Sequence, residues 1–568
     1  MDHLGGIRLR RPVLSIDNAE PAGETGMSET KKKAAAVAEE EEELLEEPVS
    51  PAGRLFREPH FSCYIVCTLG VAEPVDLPAV RAGIEATLAR HPRFCSIQVL
   101  DELDKSAKPM WVRTKVNLDD HIIVPDLGPT DTSADPEKAV EDYVSSLSTP
   151  SMPMDRSRPL WELHHCSYIM LTRFGPVNLF WSTRFDKAMT WFLTCLQDFA
   201  EFAISLDKEN NVPPEKSLKL PYKIDGDKVG SHTIFLSFNK VENWTKALKY
   251  TLCNLNRREG PLHALPPRPP LAAGALALAA WALSYLVLAW HTVVDVVCFT
   301  LTAASLMGDA RTVLKGEEGA EFRPRRFVNR TISLDDVKNI KNAVGCTVND
   351  VLVGLSSAAL SRYYFRRTGE SEGKKNIKVR TALMVNLRPT PGLHELAKMM
   401  ESGKNNGVKW GNRFGYMILP FHLAKHDDPL EYVRKATKVT RRKKSSMEAI
   451  FTYWSADMVV KLFGIKAAAS LCYGMFSNTT LSFSNLAGPS EQILFCGNPI
   501  VYISPTSYGH PHALTMHWQS YMNTIKLALA VDETQFPDAH ELLDDFTESM
   551  RLIREAASRG TDKAQDGP

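Results

Sequence analysis

The sequence predicts an α/β protein whose strands form mixed sheets in two domains. Residues 48–255 interleave short strand-like runs with helical runs through short connections, and residues 326–560 repeat the alternation. An apolar stretch, Leu271 to Met307, separates the two series. The chain has 568 residues, which at roughly 150 residues per domain allows two large domains plus extensions.

Hydrophobic content of 44% and charged content of 24% are those of an ordinary globular protein. Lys plus Arg equals Asp plus Glu at 67 each, so no net field points to nucleic acid. The 10 cysteines form no CxxC pairs, and no secretory apolar region precedes them. These features point to a reduced, intracellular protein without a structural metal. Residues 1–47 carry a lysine triplet, an alanine run and the acidic block Glu39–Glu43, with almost nothing to bury, and are expected to be disordered. A short tail, 561–568, is expected to be disordered as well.

Order is expected from Pro48. A strand over Phe61–Leu69 leads to a helix over Leu77–Ala89 that stops before His91-Pro92. Strands follow at Phe94–Leu100 and Trp111–Val116. Leu160–Met170 reads as a half-buried strand, and Arg173–Pro176 as the turn before a second strand, Val177–Ser182. A polar turn, Thr183–Lys187, then opens an apolar helix, Ala188–Leu196. A strand feeding a helix through an open turn is a favourable place for a reacting group. His164 and His165 fall on opposite faces of their strand, one expected in the core and the other exposed.

The blocks PVSPAGRLF, LARHPRFCSIQV, WVRTKVNLDDHIIVPDL and PLWELH resemble the plant wax ester synthase/diacylglycerol acyltransferase family. TVNDVLVGLSSAALSRYY, MVNLRP, GNRFGYMILPFHL and SNLAGPSEQILFCGNPI are similar to its later blocks, so the resemblance spans most of residues 48–557. It implies two α/β domains of the chloramphenicol-acetyltransferase (CoA-dependent acyltransferase) type, 48–255 and 326–560, with an active channel between them. It also implies acyl-CoA as substrate with no bound cofactor, a long-chain alcohol or diacylglycerol as acceptor, and the cytosolic face of the endoplasmic reticulum membrane, with the plasma membrane as second location.

The family signature HHxxxDG falls, in this register, on Trp181-Ser182-Thr183-Arg184-Phe185-Asp186-Lys187. Asp186 keeps its place, Trp181 and Ser182 replace the two histidines, and Lys187 replaces the glycine. In the family chemistry the second histidine is implied to take the proton of the acceptor hydroxyl as it attacks the thioester. Imidazole suits that task because its pKa of about 6.5 leaves it neutral and basic at cellular pH. A serine hydroxyl at 182 cannot do this. Asp186 reads as a remnant of the site or as a cap of the helix that follows. His164 and His165 are not a displaced signature, since Ile169 and Met170 stand where its aspartate and glycine would be.

Within the linker, 256–325, Leu271–Trp290 runs without a charge or proline and Thr292–Met307 carries one charge, Asp295. The first of these runs matches the roughly 20 residues needed to cross a bilayer. A single crossing would part the two domains and destroy a shared channel. A re-entrant hairpin bent near His291, or an interfacial helix pair, keeps both on one side, with Asp295 near headgroups or in the protein interior.

In the second domain Ser333 caps a helix to Ala343, and Thr347 with Asp350 forms a capping box for the helix Val351–Tyr364. Asn349-Asp350 matches the family's ND block, implied to lie near the channel, so Asp350 reads equally as cap and as channel residue. Strand Val379–Val385 ends at a turn where Arg388 is placed to orient a carboxylate or phosphate. Gly411–Gly415 lacks the lysine of a phosphate loop. The turn beginning Ser484-Asn485 offers backbone donors for an acyl oxyanion. Glu491–Ser504, Leu514–Gln519 and Ile525–Val531 are expected to complete the sheet, with Ala539–Ala557 as closing helix.

Three function classes follow: an active O-acyltransferase; a catalytically impaired paralogue that binds acyl lipids or a partner acyltransferase; and an acyltransferase for soluble acceptors, which the apolar segment disfavours.

Overall fold

A computed structural model describes residues 46–49, 51–55, 58, 63–86, 88–90, 94–100, 109–126, 136–149, 154–166, 169–174, 274–370, 377–387, 414–495 and 498–565. The amino-terminal series comprises β1 (Tyr64–Val71), α1 (Leu77–Ala86), the antiparallel pair β2 (Ser96–Val99) and β3 (Met110–Arg113), β4 (Ile122–Ile123), α2 (Pro136–Ser146), β5 (Trp161–Cys166) and β6 (Ile169–Phe174). The run expected as one strand over Leu160–Met170 is therefore two. The chain reverses between Cys166 and Ile169, and Arg173 and Phe174, expected in a turn, lie in β6. The reason is pairing: β6 aligns with β1 from Ile65↔Phe174 to Gly70↔Ile169, which needs the whole Ile169–Phe174 run extended. The expected strand 177–182, turn 183–187 and helix 188–196 lie outside the described residues.

After these come α3 (Gly274–Ala303), β7 (Arg325–Ser333), α4 (Leu334–Val344), α5 (Val348–Thr368), β8 (Ile377–Asn386), β9 (Phe414–Leu423), α6 (Leu430–Lys444), α7 (Glu448–Ser477), β10 (Leu481–Ala487), β11 (Leu494–Phe495), β12 (Asn498–Tyr508), β13 (Leu514–Tyr521), β14 (Thr524–Asp532) and α8 (Ala539–Gln565). Helix starts are set by local chemistry. The Ser333 hydroxyl accepts from the Asp336 amide, and Thr347 and Asp350 form a complete capping box, both as expected.

Two six-stranded sheets result, in the orders β9-β8-β10-β13-β14-β7 and β11-β12-β1-β6-β5-β4. Both are mixed: β10 is parallel to β8 and β13, β4 is parallel to β5, and the other pairs are antiparallel. The main core lies where α5 and α8 cover one face of the first of these sheets, around Val351, Leu355, Trp518, Leu527 and Phe546. A second core joins β1, β5 and β6 to α1 around Leu69, Val80 and Trp161.

One assignment is corrected by the topology. Glu491–Ser504 was expected to extend the carboxy-terminal sheet, but β11 and β12 belong to the other one. β12 pairs antiparallel with β1 from Ile500↔Val71 to Tyr508↔Tyr64. Alternation identifies a strand without naming its partner, and Ile500, Ile503 and Phe495 find their apolar contacts in the core of β1, β5 and β6.

A second correction concerns the apolar segment. α3 is one unbroken helix of 30 residues that runs straight through His291, so the hairpin expected to bend there does not form. Nothing compels a break: no proline or glycine follows Gly274 within the helix, and its one charge, Asp295, is buried at 3% exposure in the protein interior against Arg442 and Lys443. The carboxy-terminal half of α3 packs against α7, which is bent at Gly464 (φ 82°, ψ 176°), a backbone region open essentially to glycine alone.

The contact of α3 and α7 depends on Gly474, where an added Cβ would lie 2.2 Å from the Ala303 carbonyl oxygen. Gly474→Ala is expected to destabilise the protein by a net ~1 kcal/mol or more, because the clash outweighs the roughly 1 kcal/mol gained in helix propensity. Guanidinium unfolding checks this. A midpoint equal to or above that of the wild type would show that the two helices do not meet at this point.

Candidate active site

The two faces of β13 divide labour. Met516 and Trp518 point to the helices, where Trp518 Nε1 donates to Ser356 Oγ at 3.3 Å and the indole packs edge-on against Phe546. Thr515, His517, Gln519 and Tyr521 alternate to the other face, toward the sheet that contains β12. There His517 Nε2 lies 3.2 Å from Ser507 Oγ of β12, and Tyr521 Oη donates to the Ile500 carbonyl at 3.0 Å. A buried polar layer thus lies between the sheets.

His510 and His512, in the connection between β12 and β13, extend this layer. His510 Nε2 is 3.3 Å from Thr515 Oγ1 and its ring stacks on Phe476, while His512 Nε2 is 2.8 Å from Thr479 Oγ1. Arg325, 2% exposed, donates to the His510 carbonyl. Burial lowers His510 and His517 to about 3, with Arg325 adding to the effect at His510. Burial first, then His510 and Arg325, pushes His512 well below the ordinary imidazole value. All three rings are therefore neutral at pH 7. They can accept or relay hydrogen bonds, while their basicity is weak for as long as the layer stays dry.

The site residues expected from sequence divide into three groups. Asn349 and Asn485 come together: Asn485 Nδ2 donates to Asn349 Oδ1 at 3.3 Å, joining the end of β10 to the first turn of α5. Asp350 is buried, with one carboxylate oxygen accepting from the Thr347 amide at 3.0 Å and the other from the Thr440 hydroxyl, so both oxygens are engaged in holding α5. Ser484 pairs in register with His517 and Asn485 with Trp518, so Ser484 shares the polar-layer face and Asn485 faces the helices. Ser182 and Asp186, together with Trp181, Lys187 and Arg388, lie outside the described residues.

His164 and His165 separate as strand alternation requires. His164 is 1% exposed and sits in a second buried network: its Nδ1 is 2.6 Å from Tyr143 Oη and its Nε2 is 3.4 Å from Glu162, which also pairs with Arg173 at 3.2 Å. Arg173 in turn donates to Tyr508 Oη at 3.1 Å. His165 is half-buried rather than exposed, with Nδ1 3.2 Å from Met170 Sδ.

Sequence reading missed His517, Ser507, His510 and His512. The available signal was the density of imidazoles, three within His510–His517, at the entry to the strand expected from Leu514.

Comparison with known proteins places this geometry in context. The profile of the wax ester synthase/diacylglycerol acyltransferase catalytic domain matches residues 51–166, and that of the WS/DGAT C-terminal domain matches 410–554. A third profile, the Apg6 BARA domain, matches 143–258, largely outside the described residues. Wax ester synthase/diacylglycerol acyltransferase 11 of Arabidopsis thaliana is 38% identical over 521 residues, covering 90% of this chain and 95% of the relative. Number 4 of the same plant is also 38% identical, over 90% of this chain and 91% of its own. Among solved structures, a wax ester synthase/diacylglycerol acyltransferase from Marinobacter aquaeolei VT8 is 16% identical, with a TM-score of 0.47 over 90% of this chain and 99% of that one. The first condensation domain of the calcium-dependent antibiotic synthetase is 11% identical, with a TM-score of 0.49 over 90% and 96%.

The buried imidazoles make stability depend on pH. Their folded-state pKa is lowered, so the unfolded chain binds more protons between about pH 3 and about pH 6.5, and stability rises with pH in that window. Full stability is expected above about pH 6.5, with a loss of up to about 1.4 kcal/mol per pH unit for each such histidine as pH falls. Denaturant unfolding between about pH 7 and about pH 5 should show His517→Gln flattening the slope by about one proton. An unchanged slope would mean that His517 is not held neutral in the fold.

Proposed function

Since this chain belongs to the wax ester synthase/diacylglycerol acyltransferase family, we propose that it is a membrane-associated O-acyltransferase moving a fatty acyl group from acyl-CoA to a long-chain alcohol or diacylglycerol. The carrying observation is the extent of the likeness: 38% identity along 90% of the chain, with catalytic and carboxy-terminal profiles both matched. Acyl-CoA is a substrate here, and no resident cofactor is proposed. The reaction is assigned to the polar layer between the sheets, on the face that Ser484 shares with His517; Asn349 and Asn485 meet on the helix side of β10, and Ser182, Asp186 and Arg388 are proposed as further channel residues from the sequence.

Membrane association is proposed through α3. Residues 276–290 are exposed or half-exposed on every side and carry no charge, with Leu276 88% and Trp290 67% exposed. The docked half is pinned by His291 to Ser445 at 2.7 Å and by the Met447 amide to Thr292 Oγ1 at 3.0 Å. The exposed part, Gly274–Trp290, is about 25 Å long, and lying tilted within one leaflet it keeps both flanks on the same side, as a channel shared by the two domains requires. The cytosolic face of the endoplasmic reticulum is the proposed location, with the plasma membrane as second.

A second reading, the impaired paralogue that binds acyl lipids or a partner acyltransferase, is favoured by Trp181 and Ser182 at the signature histidines and by the end of the catalytic-domain match at residue 166. Losing a positioned base removes roughly 10²–10⁴-fold of rate and leaves what proximity and oxyanion stabilisation supply.

One experiment separates the readings: expression in a strain lacking neutral-lipid synthases, with thin-layer analysis of wax esters and triacylglycerol. Weak ester formation is expected from the native chain, rising by up to about 10²–10⁴-fold in the triple variant Trp181→His, Ser182→His, Lys187→Gly. No ester from either protein would favour the paralogue. A native chain as active as the rebuilt one would place the base elsewhere, and His517→Gln would then be the decisive variant.

A further inference from the structure

The bend in α7 produces a feature that the acyl-transfer reading does not use. Both feet of this helix are docked on the carboxy-terminal sheet and α3. At the first foot, Thr452 Oγ1 accepts from the Tyr416 amide at 2.8 Å and donates to the Tyr416 carbonyl at 3.0 Å. At the second, Met475 and Phe476 are buried, and Asn478 Nδ2 donates to Ser305 Oγ at 2.9 Å. Between the feet the helix is exposed at its bend, and this apex reads Lys461-Leu462-Phe463-Gly464-Ile465-Lys466.

At that apex Leu462 is 51% and Phe463 70% exposed, the latter one of the most exposed large apolar side chains of the described residues. The exposure is built into the backbone, because Gly464 holds a conformation that a residue with a Cβ avoids, and a Cβ there would meet nothing within 4 Å. Exposed lysines stand on both sides of the apolar pair. Lys461 shares an exposed ion pair with Asp457 at 2.6 Å, a contact of small energetic weight in water. An apolar tip between two cations has the chemistry of a bilayer interface: aromatic and aliphatic groups enter the acyl boundary while long amine side chains reach the phosphates.

We propose that Leu462–Phe463 at the α7 bend is a second membrane-insertion point, distinct from α3, and that Lys461 and Lys466 direct it to bilayers bearing anionic headgroups. The charge pattern supports this occupant, since the apolar tip and the flanking amines match the order of acyl chain and anionic headgroup at a bilayer surface. The inference rests on the membrane association proposed above. With two separated points of attachment the protein is held in a fixed orientation on the surface, which a single apolar helix does not impose.

The test is sedimentation of the full-length protein with phosphatidylcholine vesicles, with and without phosphatidylserine. Three double variants are compared: Leu462→Ser with Phe463→Ser, Lys461→Gln with Lys466→Gln, and, in α3, Leu286→Ser with Trp290→Ser. The apex side chains are exposed, so circular dichroism and the melting temperature should be unchanged. The apolar apex variant is expected to lose about tenfold or more in partitioning to both vesicle types. The lysine variant should lose about fivefold per lysine, with phosphatidylserine only. Apex variants that bind like the wild type, beside an α3 variant that does not, would overturn this inference and leave the membrane reading intact. No vesicle binding by the wild type would overturn both. An apex variant that changes oligomeric state in light scattering with vesicle binding unaltered would make the apex a contact between copies, and the proposal would fail.

Discussion

The pairing of β12 with β1 is the constraint on which the rest of the architecture depends. Residues 498–508 leave the sheet of their sequence neighbours and become part of the amino-terminal sheet, next to Tyr64–Val71. The chain then turns at Gly509, which has a φ of +88°, and returns through β13 into the carboxy-terminal sheet. Because β12 and β13 are joined by a short connection yet lie in different sheets, the sheets are held face to face along this connection. The same crossing brings Ser507 to His517 and carries Tyr508 to Arg173, so the polar layer and the Glu162–His164 network both depend on it. Such long-range pairing closes a loop of several hundred residues, so its contacts must offset the entropy of that closure.

A buried charge cluster holds α3 in an analogous way. Asp295 and Glu448 oppose Arg442 and Lys443, with Lys443 Nζ 3.0 Å from Asp295 and 2.7 Å from Glu448. Two acidic groups face two cations, and burial raises Glu448 to about 7 against the opposing pull of Lys443. A buried network of this kind contributes little net stability over a well-packed apolar one, but breaking it strands an uncompensated charge. Its effect here is registry: an apolar helix with no other charge can slide along an apolar neighbour, and Asp295 fixes where it stops.

Local features were legible in the sequence and long-range ones were not. The Thr347–Asp350 box and the Ser333 cap were readable because each is decided within four residues. The two faces holding His164 and His165 were readable for the same reason. The sheet to which Asn498–Tyr508 belongs was not, because alternation is satisfied in either sheet. The convergence of Ser507, His510, His512 and His517 follows from that same crossing and was equally hidden. The bend expected at His291 came from an argument about where the domains must lie, not from a helix breaker, and the chain contains none there. The bend that does occur sits at Gly464, a lone glycine in an apolar run, where sequence alone gives no reason to prefer a break over a continuous helix.

A chain of hydrogen bonds connects the proposed membrane helix to the polar layer. Thr302, near the end of α3, accepts from Arg380 Nη1 at 2.6 Å, and Arg380 pairs with Asp309. Asp309 accepts from Thr480 at the start of β10, and the adjacent Thr479 meets His512 at 2.8 Å. Every member of this path is buried or half-buried and belongs to a docked element. The foot of α3 is therefore rigidly placed relative to the histidine layer, whereas residues 276–290 of the same helix are exposed or half-exposed. That division suits a protein whose acceptor dissolves in lipid and whose acyl donor dissolves in water. On the membrane reading proposed above, the apolar arm follows the bilayer while the docked foot of α3 and the histidine layer keep their geometry.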